Sequence, residues 1–219
     1  NKILAIDRDK NSFKIINQFK KKYQDRFDFE NKKFSEILNT DKKINNLKGI
    51  IFDLGYSATQ IKDPKKGLSF NSKGKLNMRM GFNSISASDV INKLEQKELS
   101  RIFKIFGEER QSNIISKKIL SLRKKKIIQS EDLVSIINST KKNKFSKIHN
   151  ATKVFQSLRI VVNNEISELV YGLINSFKIL PIGGIIVVVS FHSLEDKIVK
   201  FFFKNYSEVK NNSRYLLPN

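Results

Sequence analysis

The chain has 219 residues, 39% hydrophobic and 29% charged, enough for a real core in one domain or one domain plus an insert. Collagen, coiled-coil arrays and a wholly disordered chain are excluded by that composition, and zero cysteines exclude a disulfide framework and a thiolate metal site. Forty-two basic against twenty-one acidic residues give a formal charge of +21, which draws a polyanion or an anionic surface toward the protein.

With only His149 and His192, no metal site is expected, and the absence of cysteine fits a reducing, cytoplasmic setting. No run approaches the roughly 20 apolar residues of a membrane span. Asn1-Lys-Ile-Leu-Ala-Ile-Asp7 has no apolar leader core and enters a strand at once, which reads as a fragment that starts inside a domain.

Ile3-Leu4-Ala5-Ile6 ends at Asp7 and predicts a buried strand; Ser12 then caps a helix with Phe13, Ile16, Phe19 and Tyr23 on one stripe. Phe27 to Phe29 predicts a second short strand, and Gly49 to Leu54 a third that stops at Gly55. Strands alternating with helices imply an α/β fold with a mostly parallel sheet over residues 1–61.

From Ile61 a turn-rich stretch leads into helices without intervening strands. Ser86-x-x-Asp89 resembles a capping box ahead of Val90, Ile91 and Leu94. The next helix is expected to carry Glu108 and Glu109 in its first turn, Ile115, Ile119 and Leu122 on its face, and Arg123 to Lys126 at its end. Ser130-Glu-Asp132 caps a third, and 141–147 is a polar connector. Residues 62–150 are therefore expected to be a helical, basic insert.

After Asn150 one long helix is expected from Ala151 to Phe177, then Pro181, then the apolar run Gly184 to Val189, typical of a strand covered on both faces. A last helix follows over Lys197 to Phe203, so 151–219 returns to the α/β pattern.

The charge is unevenly placed. Residues 62–150 hold 21 basic and 8 acidic residues, the other 130 positions 21 and 13. A lysine- and asparagine-rich composition from an AT-rich coding sequence would spread evenly, so the contrast favours a polyanion-facing segment. The run Arg123 to Lys126 also has a plain reading, since cations suit helix C-termini.

In open α/β sheets ligands lie beyond the carboxyl ends of strands, so three places stand out. Asp7 suits the two hydroxyls of a ribose, or is an ordinary strand end. Asp53-Leu-Gly-Tyr-Ser57, with Gln60 nearby, offers hydrogen-bonding groups beside a permissive glycine, or is a solvated turn. His192-Ser193 suggests a nucleophile pair but lacks a third orienting residue, and Ser193 serves equally as a cap for Glu195 and Asp196.

Six blocks, in order along the chain, resemble the bacterial RsmH (MraW) family: Gly49-Ile-Ile-Phe-Asp-Leu-Gly-Tyr-Ser-Ala-Thr-Gln60, Gly67-Leu-Ser-Phe70, Leu76-Asn-Met-Arg-Met80, Gly107-Glu-Glu-Arg110, His149 to Ile160 and Val189-Ser-Phe-His-Ser-Leu-Glu-Asp-Lys-Ile-Val199. The resemblance implies a Rossmann-like S-adenosylmethionine-dependent methyltransferase core that modifies the exocyclic N4 of a cytidine in the decoding centre of 16S rRNA, with the small ribosomal subunit as partner. It implies Asp7 as the acid on the cofactor ribose, Phe34 beside the adenine, and Asp53 and Gln60 as further cofactor contacts. The family's Gly-rich loop is expected upstream of Asn1 and its C-terminal signature beyond Asn219. The chain departs from the family at Ala58 and Thr59, at Asn77 and Gly81, where carboxylates are usual, and at Asn150.

On that reading the turn Asp53 to Ser57 lies between cofactor and base, with His192 and Ser193 on the opposite wall. The RNA-facing cations are Lys62, Lys65, Lys66, Arg79, Arg123, Lys124, Lys125 and Lys126. A non-catalytic rRNA-binding fragment or degenerate paralogue is the alternative, and a dinucleotide oxidoreductase a weaker one. A sheet edge left open by a missing strand would favour a dimer.

Overall fold

The computed structural model describes residues 2–40, 46–81, 83–141 and 149–206. The expected connector over 142–147 and the tail from 207 lie outside the described residues. The alternating pattern produces parallel strands as expected, but the described strands form two separate pairs.

Strand β1 (Ile3–Ile6) ends where the apolar run meets Asp7, and it pairs in parallel with β2 (Phe27–Glu30), Ile3 opposite Phe27 and Ile6 opposite Glu30. Helix α1 (Phe13–Tyr23) connects them. Ser12 precedes it but does not cap it: its backbone is already helical, and its hydroxyl donates to Asp7 Oδ2 at 2.9 Å. Of the expected stripe only Ile16 is buried. Phe13 and Phe19 instead pack against the strand rings Phe29 and Phe27, centroids 5.5 and 5.6 Å apart.

A 3-10 helix, Phe34–Asn39, precedes β3 (Gly49–Asp53), which pairs in parallel with β4 (Ile185–Val189), Asp53 opposite Val189. Helices α8 (Glu165–Ile179) and α9 (Ser193–Tyr206) cover one face, where Phe52, Leu169, Leu173, Val199 and Phe202 form a core. The continuous apolar run of β4 is covered on that face only. Period-two alternation turns Ile185 and Val187 to the other side, where Ile51 is 75% exposed.

The second part is helical: α2 (Ala58–Lys62), α3 (Ala87–Lys93), α4 (Gln96–Gly107), α5 (Ser112–Arg123), α6 (Ser130–Thr140) and α7 (Thr152–Asn163). The Ser86–Asp89 capping box opens α3 as expected. Helix α4 was not anticipated. Glu108 closes it with left-handed backbone, so Glu108 and Glu109 lie before α5 and not in its first turn. Gln129, not Ser130, occupies the cap of α6, with Asp132 completing its box. The expected long helix is two, because Asn164 (φ 52°) turns the chain between α7 and α8.

Leu76, Met78, Ile91, Leu99, Phe103, Ile115, Ile119, Ile137 and Leu158 have no exposed surface and form one core shared by α3 to α7 and the 68–80 loop. Burial of such side chains stabilises by roughly 1.5–3 kcal/mol each before entropy is charged. The loop is tied in by Asn163: its Oδ1 accepts the Met80 amide (2.8 Å) and its Nδ2 donates to the Met78 carbonyl (2.8 Å). Arg8 donates to the Asn163 carbonyl (2.8 Å), which links this hub to the end of β1.

Candidate functional site

The carboxyl ends of β1 and β3, one from each strand pair, open into one cavity of about 770 Å³. Asp7, Phe34, Asp53, Ser57 and Gln60 all line it, so residues up to 53 positions apart in sequence are brought together. Asp7 is exposed. Its Oδ1 accepts the Asp9 amide (2.7 Å) and its Oδ2 the Ser12 hydroxyl, which fixes the carboxylate plane toward the opening.

Phe34 meets Phe52 edge to face, centroids 5.6 Å apart. Gly172 of α8 makes this possible: a Cβ there would lie 2.9 Å from Phe34 and 3.1 Å from Phe52. Beyond Asp53, Gly55 takes φ +92°, a conformation that turns the chain back under the cavity without a side chain in the way. Ser57 then caps α2: its Oγ accepts the Gln60 amide (3.2 Å), and Gln60 Oε1 accepts the Ser57 amide (2.8 Å). The Gln60 side-chain NH2 donates to buried Asp9 at 2.5 Å, so this residue braces the wall with both ends of its amide.

Asp9 and Lys66 are charged members of this cavity that the sequence does not point to. Lys66 Nζ lies 3.2 Å from Asp9 Oδ2 and lines the cavity, its ammonium inside the wall and not on an outer face. The Asp7-x-Asp9 spacing was visible; nothing local pointed to Lys66, 57 residues away.

A second cavity of about 340 Å³ adjoins the first, and Gly55, Tyr56 and Phe191 line both. Its other lining mixes apolar and polar groups, with Phe70 and Phe155 beside Gln156, Arg159 and His192. The Phe70 ring is stacked on His149, centroids 4.0 Å apart. His192 is placed here, but its Nε2 is buried and 3.2 Å from Glu195 Oε1, turned toward carboxylates and not into the cavity. Ser193 lines neither cavity; it opens α9 and its hydroxyl lies 3.5 Å from Glu108.

Behind this wall sits a charged cluster. Arg159 forks onto Glu165 with Nε at 2.8 Å and Nη2 at 2.9 Å. Burial alone would lower the Arg159 pKa, but Glu165 outweighs it and the guanidinium is held charged, above its ordinary value. Burial raises the Glu165 carboxyl against the pull of Arg159. Burial also disfavours ionised Glu195, yet hydrogen bonds from His192 and the Phe191 amide (2.9 Å) prevail and hold it below the ordinary range. Glu165, His192 and Glu195 stand close enough to suit a metal ion, and the cation among them is Arg159. Arg159 lies within the His149 to Ile160 block, whereas Glu165 carries no signal in the sequence.

Of the remaining expected cations, Lys62, Lys65, Arg79, Lys124 and Lys125 are exposed. Arg123 donates to the carbonyls of Ile91 and Leu94 at the end of α3, and Lys126 pairs with Asp132 at 2.5 Å. The Gly107-Glu-Glu-Arg110 block joins elements: Glu109 is buried against Lys141 (2.5 Å), and Glu108 pairs with Lys197 of α9 (2.7 Å). No described helix is long and apolar enough to cross a membrane.

The profile of the MraW methylase family matches residues 1–217. A protein of Rickettsia bellii named Ribosomal RNA small subunit methyltransferase H is 44% identical over 209 residues, covering 94% of this chain and 68% of the relative. Proteins of the same name from Buchnera aphidicola and Ehrlichia canis are 45% and 39% identical, over 99% and 93% of this chain and 70% of each relative.

Proposed function

We propose, because this chain belongs to the MraW methylase family, that its first cavity holds S-adenosylmethionine and its second the base that receives the methyl group. The supporting observation is the shared lining: Gly55, Tyr56 and Phe191 line both cavities, so the two adjoin along these residues and a donor in one faces an acceptor in the other at their junction. The acceptor is N4 of a cytidine in the decoding centre of 16S rRNA, and the relatives' names fit a substrate in the small-subunit RNA.

The residues present fit the cofactor. Asp7 offers an exposed carboxylate to the ribose hydroxyls, Phe34 an aromatic face for the adenine, and Asp53 and Gln60 complete the wall of a cavity large enough for a nucleoside. When bound, the cofactor supplies a methyl group on a sulfonium, ready for direct displacement. The protein's part is then to align, to exclude water and to accept a hydrogen bond from an amine whose lone pair is delocalised into its ring.

Asp53, at the end of β3 with its carboxylate on the cavity, is the acceptor of that hydrogen bond. Ser57 and His192 frame the two sides of the passage. The base must leave its stack to enter, at a cost of a few kcal/mol that phosphate contacts offset. Residues 62–150 form the RNA-facing unit, packed on α7 at the start of the second core segment 151–219, and present exposed Lys62, Lys65, Arg79, Lys124 and Lys125. Lys66, Arg123 and Lys126 support that unit through their internal partners.

Methyl-labelled S-adenosylmethionine and unmethylated small ribosomal subunits, with nucleosides read by mass spectrometry, test the reading. N4-methylcytidine is expected, and Asp7→Ala weakens cofactor binding by about tenfold or more, as loss of a hydrogen-bonded charged contact does. Reversing Lys124 and Lys125 to Glu weakens subunit binding and lowers its salt dependence by roughly one slope unit per lost phosphate contact, with cofactor affinity unchanged. Unchanged turnover in both Ser57→Ala and His192→Ala removes the role given to those walls. RNA binding without cofactor binding would establish the non-catalytic alternative.

A further inference from the structure

Tyr56 stands where the two cavities meet, with its residue 40% exposed and lining both. From within, the Arg159 guanidinium lies over its ring, Cζ 4.7 Å from the centroid. Only 9% of Arg159 is exposed, and its two parallel hydrogen bonds to Glu165 fix the position and the tilt of the guanidinium plane. A planar cation over an aromatic face attracts it, and a lysine could not reproduce the fork. His192, just before α9, and Glu195, in its first turn, close the cluster, with Glu195 Oε2 accepting the Phe191 amide on the same shared wall. The cluster thus touches both aromatic members of the partition.

We propose that Arg159, through its fork to Glu165, is a positioning residue that fixes Tyr56 as the partition against which the planar acceptor base comes to rest. The inference rests on the methyl-transfer reading and adds two residues to it. In-line displacement tolerates little misalignment, and a displacement of about 1 Å costs about 100-fold in rate. A loose Tyr56 would let the base tilt while leaving the ribose and adenine contacts, made by Asp7 and Phe34 on other elements, in place.

The test uses the whole chain. Arg159→Met with Glu165→Gln removes the pair without leaving a buried orphan charge, and Tyr56→Leu removes the ring. The paired variant, whose residues do not line the first cavity, is expected to bind S-adenosylmethionine within about twofold of wild type, and both variants to lose about 10- to 100-fold in single-turnover methyl transfer to the small ribosomal subunit. Tyr56→Phe, which keeps the ring, restores the rate. Combining the ring and pair changes adds little to either alone, since they act through one contact. Amide hydrogen exchange over residues 54–60 accelerates in the paired variant and not in α4 or α5. Full rate in Tyr56→Leu, or unchanged exchange over 54–60 in the paired variant, overturns the inference. A wild-type chain that transfers no methyl group overturns the underlying reading instead, and the exchange measurement still decides whether Arg159 holds the turn.

Discussion

The helical and sheet regions differ in how completely they satisfy themselves. Around α4, α5 and α7 ten large side chains among the described residues, Leu133 included, have no exposed surface, and the core closes on its own helices. Around the strand pairs Ile3, Ile51 and Ile185 are each more than 60% exposed, and the inner face alone is packed. A packed interior resists displacement, whereas a seam between two incompletely covered sheets leaves room for a ligand; the stability and the candidate chemistry accordingly sit in different places. The sharpest way to break this contrast is to cut into each side equally. Phe103→Ala is expected to cost about 3–5 kcal/mol, the range for a buried aromatic, and Ile51→Ala less than about 1 kcal/mol. Denaturant unfolding of both variants reads the difference, and equal losses would mean the sheet face is covered in solution.

A smaller effect separates packing from binding. Gly172→Ala places a Cβ against Phe34 and Phe52, so a ring must shift; strain of about 1–3 kcal/mol is expected. Because Phe34 lines the first cavity, the same change should weaken S-adenosylmethionine binding by about tenfold. Gly107→Ala is the counterpart in the helical region. There the new Cβ meets the Lys153 backbone carbonyl, so stability falls while cofactor affinity stays. Calorimetric titration of both variants sharpens the comparison, and equal cofactor losses would show that the two regions are mechanically one.

The sequence was legible where the signal was local. Apolar runs stopped by Asp7 and Gly55 located β1 and β3, and Ser86-x-x-Asp89 announced α3 through a cap that needs only four residues. Asp7, Phe34, Asp53, Ser57 and Gln60 line the first cavity together. What escaped was settled by distant partners. Ser12 looks like a cap until Asp7 takes its hydroxyl, and the break at Asn164 follows a residue whose side chain is held by Met78 and Met80, more than 80 positions earlier. Lys66 and Arg123 read as surface cations, yet Asp9 and the end of α3 claim them. Helix α4 is a different failure: Leu99, Ile102, Phe103 and Phe106 give it a regular apolar face that periodicity could have found.

The smallest expected effect is the pH dependence, and it too divides the molecule. Asp89 is hydrogen-bonded by Lys93 (2.6 Å) and by the Ser86 hydroxyl and amide, which hold it well below the usual carboxylate range. Asp132 is raised by burial but lowered further by Lys126 and the Gln129 amide, so it also falls below that range. A carboxyl whose folded pKa is depressed contributes stability at pH values above its unfolded pKa of about 4 and loses it as pH falls through the folded value. Both groups cap helices α3 and α6, so acid weakens the helical region with one sign. At the shared wall the signs oppose: depressed Glu195 loses stability in acid, whereas raised Glu165 favours the fold as it protonates. Asp89→Asn with Asp132→Asn should therefore lower the melting temperature at pH 7 by about 2 °C, a modest shift because solvent screens these partly exposed groups. As pH falls from about 4 toward the depressed folded values the double variant should lose less than wild type, so that the two melting curves draw together as the acid range is descended. Convergence that instead required changing Glu195 would place the acid-sensitive element at the seam and reverse the division of labour between the two regions.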